Sequence, residues 1–127
     1  MPYMPGKEEL PADSADLYLR FLDGATDAER VQGPELASQA LDLSTGPVDA
    51  EKDRLELVVT HNFLIAWLVR DAMYAPKWRW LGLNYCNAAL TVIRYAPGRA
   101  ASILHSNDMR HLLAELRWTG FPPELHV

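Results

Sequence analysis

The sequence predicts an α/β domain in which a small mixed sheet, one buried strand followed by a hairpin, is packed by helices. Three observations lead there. Two stretches in the first half, 11–23 and 33–45, carry apolar residues at helical spacing and end at glycine or proline signals. Leu57-Val58-Val59 is a short, partly β-branched apolar run that stops abruptly at His61-Asn62, the pattern of a strand buried on both faces of a parallel sheet. Ala88 to Tyr95 and Ala100 to Ser106 are two more strand-like runs joined by Ala96-Pro97-Gly98-Arg99, where proline and glycine suit the central positions of a type II turn.

A chain of 127 residues, 49% hydrophobic and 23% charged, fits one domain spanning 1–127 with a real core. The formal charge of -5 is spread along the chain, with no run of Lys or Arg able to track a phosphate backbone. Nucleic acid and membrane surfaces are therefore not expected partners. The longest apolar stretch, Phe63 to Val69, falls far short of the roughly 20 residues that span a bilayer. Cys86 is the only cysteine, so no internal disulfide forms, and the start Met1-Pro2-Tyr3 lacks the features of a secretory leader. The expected compartment is a reducing cytoplasm.

Residues 1–9 read as an extended arm, with two prolines and a glycine but no periodicity. Pro11 to Asp23 reads as a helix capped at Asp13 or Ser14, with Leu17, Tyr18, Phe21 and Leu22 as its apolar stripe and Gly24 as its stop. Gly33-Pro34-Glu35 is a helix start, because proline at the first position loses no needed donor; Leu36, Ala37, Ala40 and Leu41 would face the core until Thr45-Gly46-Pro47 ends the helix. Asp49 to Arg54 is a charged connection to the strand at Leu55 to Thr60. Phe63 to Met73 is a helix too apolar all round for the surface and is expected to be buried on more than one side. After the hairpin, Leu112, Leu113, Leu116, Trp118 and Phe121 suggest a short helix and irregular chain packing over the sheet.

His61 is the residue placed to do chemistry. A histidine at the carboxyl end of a strand and the start of a helix lies where open α/β sheets bind ligands. The free N–H groups of Asn62 and Phe63 and the positive helix end would hold an anion, a phosphate for instance, beside the imidazole. Asn62 also suits the junction as a cap. The plainer alternative for His61 is a buried histidine bonded to a neighbouring carbonyl.

Leu57-Val58-Val59-Thr60-His61-Asn62-Phe63-Leu64-Ile65 resembles the second histidine motif of the histidine phosphatase superfamily, the phosphoglycerate-mutase-like proteins. Asn87-Ala88-Ala89-Leu90-Thr91-Val92-Ile93 is similar to that family's Asn-x-Ser/Ala-Leu-Thr-Val strand, and Asn107-Asp108-Met109-Arg110-His111-Leu112 to its Asn-Asp-x-x-His-Leu ending. The resemblance covers Leu55 to Leu112 well and Leu10 to Thr45 loosely. It implies part of a phosphoglycerate-mutase-like three-layer fold, and phosphoryl transfer or phosphate monoester hydrolysis through a phosphohistidine, with no cofactor. It further implies that His61 is the second catalytic histidine and that Asn62, Phe63 and Asn87 line the substrate site, whose ligand is phosphate or a phosphorylated small molecule. Asn62 stands where the family has Gly or Ala.

The family's nucleophile lies in an Arg-His-Gly segment. His61, His105, His111 and His126 are followed by Asn, Ser, Leu and Val, so none fits that role. Glu8 and Glu9 are the candidates for the family's acid. The chain thus resembles the C-terminal portion of such a domain and is expected to be inactive alone, an incomplete or mis-started reading of a longer enzyme. The alternative is a non-catalytic anion-binding or oligomerisation module derived from the same fold. With about three strands to build a sheet, an edge is left open, so a homodimer or a partner chain is expected to cover it.

Other groupings lead elsewhere. His61, Cys86, His105 and His111 match no zinc spacing, and no metal is expected. Cys86 reads as a small buried apolar residue, His105 as a half-buried strand residue and His111 as structural. The tryptophans at 67, 78, 80 and 118 read as packing, and Arg70, Arg79 and Arg94 as solvated or paired surface residues.

Overall fold

The computed structural model describes residues 1–49 and 52–120; Phe121, His126 and the centre of the Asp49 to Arg54 connection lie outside the described residues. Helix α1 (Ala15–Asp23) runs from Ser14 to Gly24, as its sequence signals require. Leu22 is buried, while Leu17 and Phe21 of the predicted stripe stay exposed.

Helix α2 (Asp27–Ser44) begins six residues before the expected start at Gly33. Thr26 and Glu29 explain this. The Thr26 hydroxyl accepts the Glu29 N–H at 3.3 Å, and the Glu29 carboxylate accepts the Thr26 N–H at 2.9 Å, a reciprocal cap. Pro34 therefore lies inside the helix, where it removes a main-chain hydrogen bond at a cost of about 3 kcal/mol. Packing offsets it. The Arg30 guanidinium donates to the carbonyls of Leu22 at 2.7 Å and Ala25 at 3.2 Å, clamping α2 to α1. Met1 lies so close to Gly33 that a Cβ there would collide with its main chain. Ala37 is buried as expected, but Leu36 points outward.

The arm is docked, not free. Pro2 and Pro5 are buried, the Trp80 indole donates to the Tyr3 carbonyl at 3.1 Å, and the Tyr3 ring stacks on Trp67 with centroids 6.4 Å apart. Lys7–Glu9 forms a 3-10 turn in place of extended chain, closed by Glu9 accepting the Gly6 N–H at 2.8 Å.

Helix α3 (Asn62–Ala72) occupies the middle of the molecule, with Ala66, Trp67, Val69, Arg70 and Ala72 all buried. These positions fall on more than one side of the helix, as the continuous apolar run requires. A 3-10 turn at Lys77–Trp80 follows and returns Trp80 and Leu81 to the core beside Leu10, Leu22, Trp67 and Val69.

Strands β1 (Leu90–Arg94) and β2 (Ser102–Asp108) form the expected antiparallel hairpin. Its turn closes through the Arg99 N–H to the Ala96 carbonyl at 3.3 Å, and Gly98 supplies the positive φ of 68° that a type II turn needs. Among the described residues three α-helices and this two-stranded sheet make a mixed α/β arrangement, consistent with the expected class.

The sheet itself departs from expectation at Leu55 to Thr60. This run has no regular secondary structure and belongs to no sheet among the described residues, and Leu55, Leu57 and Val59 are 94%, 83% and 88% exposed. The expected buried strand is thus bare. Among the described residues β1 and β2 pair only with each other, and this run lies on neither of their outer edges. Burying one such side chain contributes ~1.5–3 kcal/mol, and that stabilisation is forgone here. Among the described residues no helix is long and apolar enough to cross a membrane.

Candidate functional site

The site is built where the bare run at Leu55 to Thr60 turns into α3. His61 has extended backbone (φ -91°, ψ 158°) and is the cap residue of the helix. Its carbonyl accepts the N–H groups of Leu64 and Ile65, both at 3.1 Å, which starts the helical ladder. Its side chain makes no capping bond. A Ser, Thr, Asp or Asn at this position normally accepts an N–H of the first turn. With histidine there instead, the Asn62 and Phe63 amides have no acceptor among the described residues. Two free donors, the positive end of an 11-residue helix and an exposed imidazole therefore share one corner. The alternative of a buried, carbonyl-bonded histidine does not describe this ring.

Neighbouring residues hold that corner in place. The Asn62 side-chain oxygen accepts the Tyr85 N–H at 2.9 Å, tying the 84–87 segment to the helix start. Asn62 thus contributes its amide to the corner while its side chain serves as a tether. The Phe63 ring packs edge-on against Phe21 (5.7 Å) and Trp80 (5.3 Å), forming an apolar wall beside the helix end. Asn87 lies two residues from the Tyr85 anchor, no more than about 7 Å of chain. Its own N–H, however, donates to the Thr119 carbonyl at 3.0 Å, and its side chain abuts Gly120. The corner thus gathers His61, Asn62 and Phe63 directly and Asn87 only through the loop.

Other titratable residues serve different ends. Arg70, expected at the surface, is buried, lies 3.8 Å over the Trp67 ring and reaches Asp71 at 3.5 Å. Burial pushes its pKa down from the ordinary arginine value, while Asp71 opposes that shift. His105 lies in β2 opposite Val92, with its ring half exposed, as expected, and 3.9 Å from Asp108. His111 is structural, with its Nε2 3.0 Å from the Ala88 carbonyl. Cys86 is buried, as its reading as a small apolar residue requires. Glu9 is engaged by Tyr3 and Gly6. No group of three or more His, Cys, Asp or Glu converges among the described residues.

Sequence reasoning treated Asn107 only as a landmark, and the structure gives it a job. It sits at φ 52° and accepts the Cys86 N–H at 2.8 Å, while its own N–H donates to the Thr91 hydroxyl at 3.2 Å. Asp108 accepts the Arg110 N–H at 2.9 Å and the Arg110 guanidinium at 2.7 Å. These donors hold its carboxyl far below the usual carboxylate range. An Asp two residues before an Arg was the available signal, since such carboxylates bond the backbone two residues on. A hollow of about 200 Å³ opens at the other end of α3, lined by Thr45, Asp71, Tyr74, Tyr95 and Arg99. None of the corner residues lines it.

A family model, histidine phosphatase superfamily (branch 1), matches residues 6–108. No curated protein and no solved structure gives a significant match.

Proposed function

The chain belongs to the histidine phosphatase superfamily, branch 1, and on that premise we propose that it supplies the second-histidine half of a phosphate monoester site. His61 donates to the phosphoryl oxygens, and the Asn62 and Phe63 amides add two further donors beside the positive helix end. The observation that carries this reading is the uncapped start of α3, where an exposed imidazole stands beside two amides without acceptors.

Hydrolysis also needs a histidine that takes the phosphoryl group and then gives it to water. No histidine of this sequence precedes a glycine, so the nucleophile must come from outside these residues. The whole enzyme acts on phosphate monoesters; this chain alone binds the phosphoryl group without turning it over. No cofactor enters the scheme. The same sequence fact favours a second reading, a non-catalytic anion-binding module of the family.

Purified chain incubated with p-nitrophenyl phosphate, beside a His61→Ala variant, tests the first claim. The expected rate is that of buffer for both. Substantial turnover that disappears in His61→Ala would overturn the claim that the chain lacks its nucleophile. The coding DNA upstream of Met1 separates the two readings: an in-frame strand ending in Arg-His-Gly supports the enzyme, and its absence supports the binding module.

A further inference from the structure

The bare run at Leu55 to Thr60 is unlike the rest of the surface. Leu55, Leu57 and Val59 alternate along the sequence, at the spacing that shares one face of a strand, and are all more than four-fifths exposed. No main-chain N–H or C=O from Asp53 to Thr60 has a hydrogen-bond partner among the described residues. A bare apolar strand edge is a template for another strand.

The sequence around it is self-complementary in one register. An antiparallel pair with its two-fold axis at Leu57 sets Leu57 against Leu57, Leu55 against Val59, and the Asp53 carboxylate against the His61 imidazole, all on the exposed face. On the opposite face Glu56 meets Val58 and Arg54 meets Thr60, so the Arg54–Glu56 ion pair within each chain survives. Neighbouring registers do worse. An axis at Glu56 opposes two carboxylates, and an axis at Val58 sets Leu55 against His61 and leaves Asp53 unpaired. A shift by one residue mixes the faces and sets Glu56 against Val59.

We propose that this segment pairs with the same segment of a second copy of the chain, antiparallel and centred on Leu57. The pairing satisfies the free main-chain groups of both copies and zips their apolar faces together, with an Asp53–His61 contact at each end. It does not rest on the phosphate reading. A seam this short falls at the small end of interface sizes, below about 1,200 Å² in total, where complexes are transient.

Sedimentation of the full chain at about 100 µM, a concentration suited to a weak complex, should give a mass near twice the 14.3 kDa chain, falling on dilution. Leu57→Lys sets two ammonium groups against each other at the axis and should leave only monomer. Its thermal melting should match that of monomeric wild type, because Leu57 packs on nothing in the single chain. Leu57→Cys should cross-link under mild oxidation, since directly opposed Cα atoms lie about 4.5–5.5 Å apart, within disulfide range. Val58→Cys, whose copies are diagonal, should link at least about tenfold more slowly. Wild type, with only the buried Cys86, is the background. A monomer at that concentration, a dimer that survives Leu57→Lys, or faster linking through Val58→Cys would each overturn the proposal.

Discussion

Asn107 holds a left-handed backbone conformation that costs most residues energy, and its side chain repays the cost by accepting the Cys86 N–H at 2.8 Å. Asn107→Ala removes the acceptor and keeps the strained φ. The expected loss is ~1–3 kcal/mol in denaturant unfolding, because an N–H at a buried residue is left without a partner. A loss under about 0.5 kcal/mol, the scale of surface changes, would show that water replaces the bond. Asp108 gives a pH signature nearby. Its folded pKa is depressed by Arg110, so its stabilising contribution is fully present above the unfolded aspartate pKa of about 3.9 and is lost as pH falls through the lower folded value. Asp108→Asn should accordingly lower stability at neutral pH, with the difference from wild type shrinking as acid titrates the wild-type carboxylate. A difference that does not change with pH would contradict this. At this scale the sequence shows which residues are unusual but not their partners: Asn107 and Cys86 are 21 positions apart, and only the fold brings them together.

Elements with strong local signals were legible, and those set by distant contacts were not. Ser14 and Gly24 bracket α1, and Pro97-Gly98 turns the hairpin. The start of α2 was obscured by Gly33-Pro34, which looks like a beginning because proline suits a first turn. The stronger signal was Thr26 with Glu29, a capping box seven residues earlier than Gly33. Thr26→Ala should cost ~1 kcal/mol and fray α2 back toward Pro34, seen as early amide exchange at residues 27–33. If exchange there stays unchanged, the packing of Met1 on Gly33 and the Arg30 clamp hold the turn without the cap. The run at Leu55 to Thr60 was legible as apolar, but it forms no strand among the described residues. Its burial was not legible, because burial depends on neighbours, and local pattern reports only the demand for them.

At the scale of the whole molecule, that unmet demand and the candidate corner are one feature. The bare run delivers His61 to the start of α3, the Asn62 side chain pins that start to Tyr85, and Phe63 closes its apolar side. Membership of the histidine phosphatase superfamily was readable from three ordered landmarks, and the family match over residues 6–108 spans the first two and Asn107-Asp108 of the third. The free Asn62 and Phe63 amides were readable too, from a helix start placed at His61; that the His61 side chain makes no capping bond was not. The most direct measurement is a titration of the isotope-labelled chain with inorganic phosphate, followed by amide nuclear magnetic resonance. The account predicts saturable shifts centred on the Asn62 and Phe63 N–H groups, with affinity on the order of millimolar, weakened severalfold in His61→Ala. Shifts absent from Asn62 and Phe63, or unchanged by His61→Ala, would contradict it.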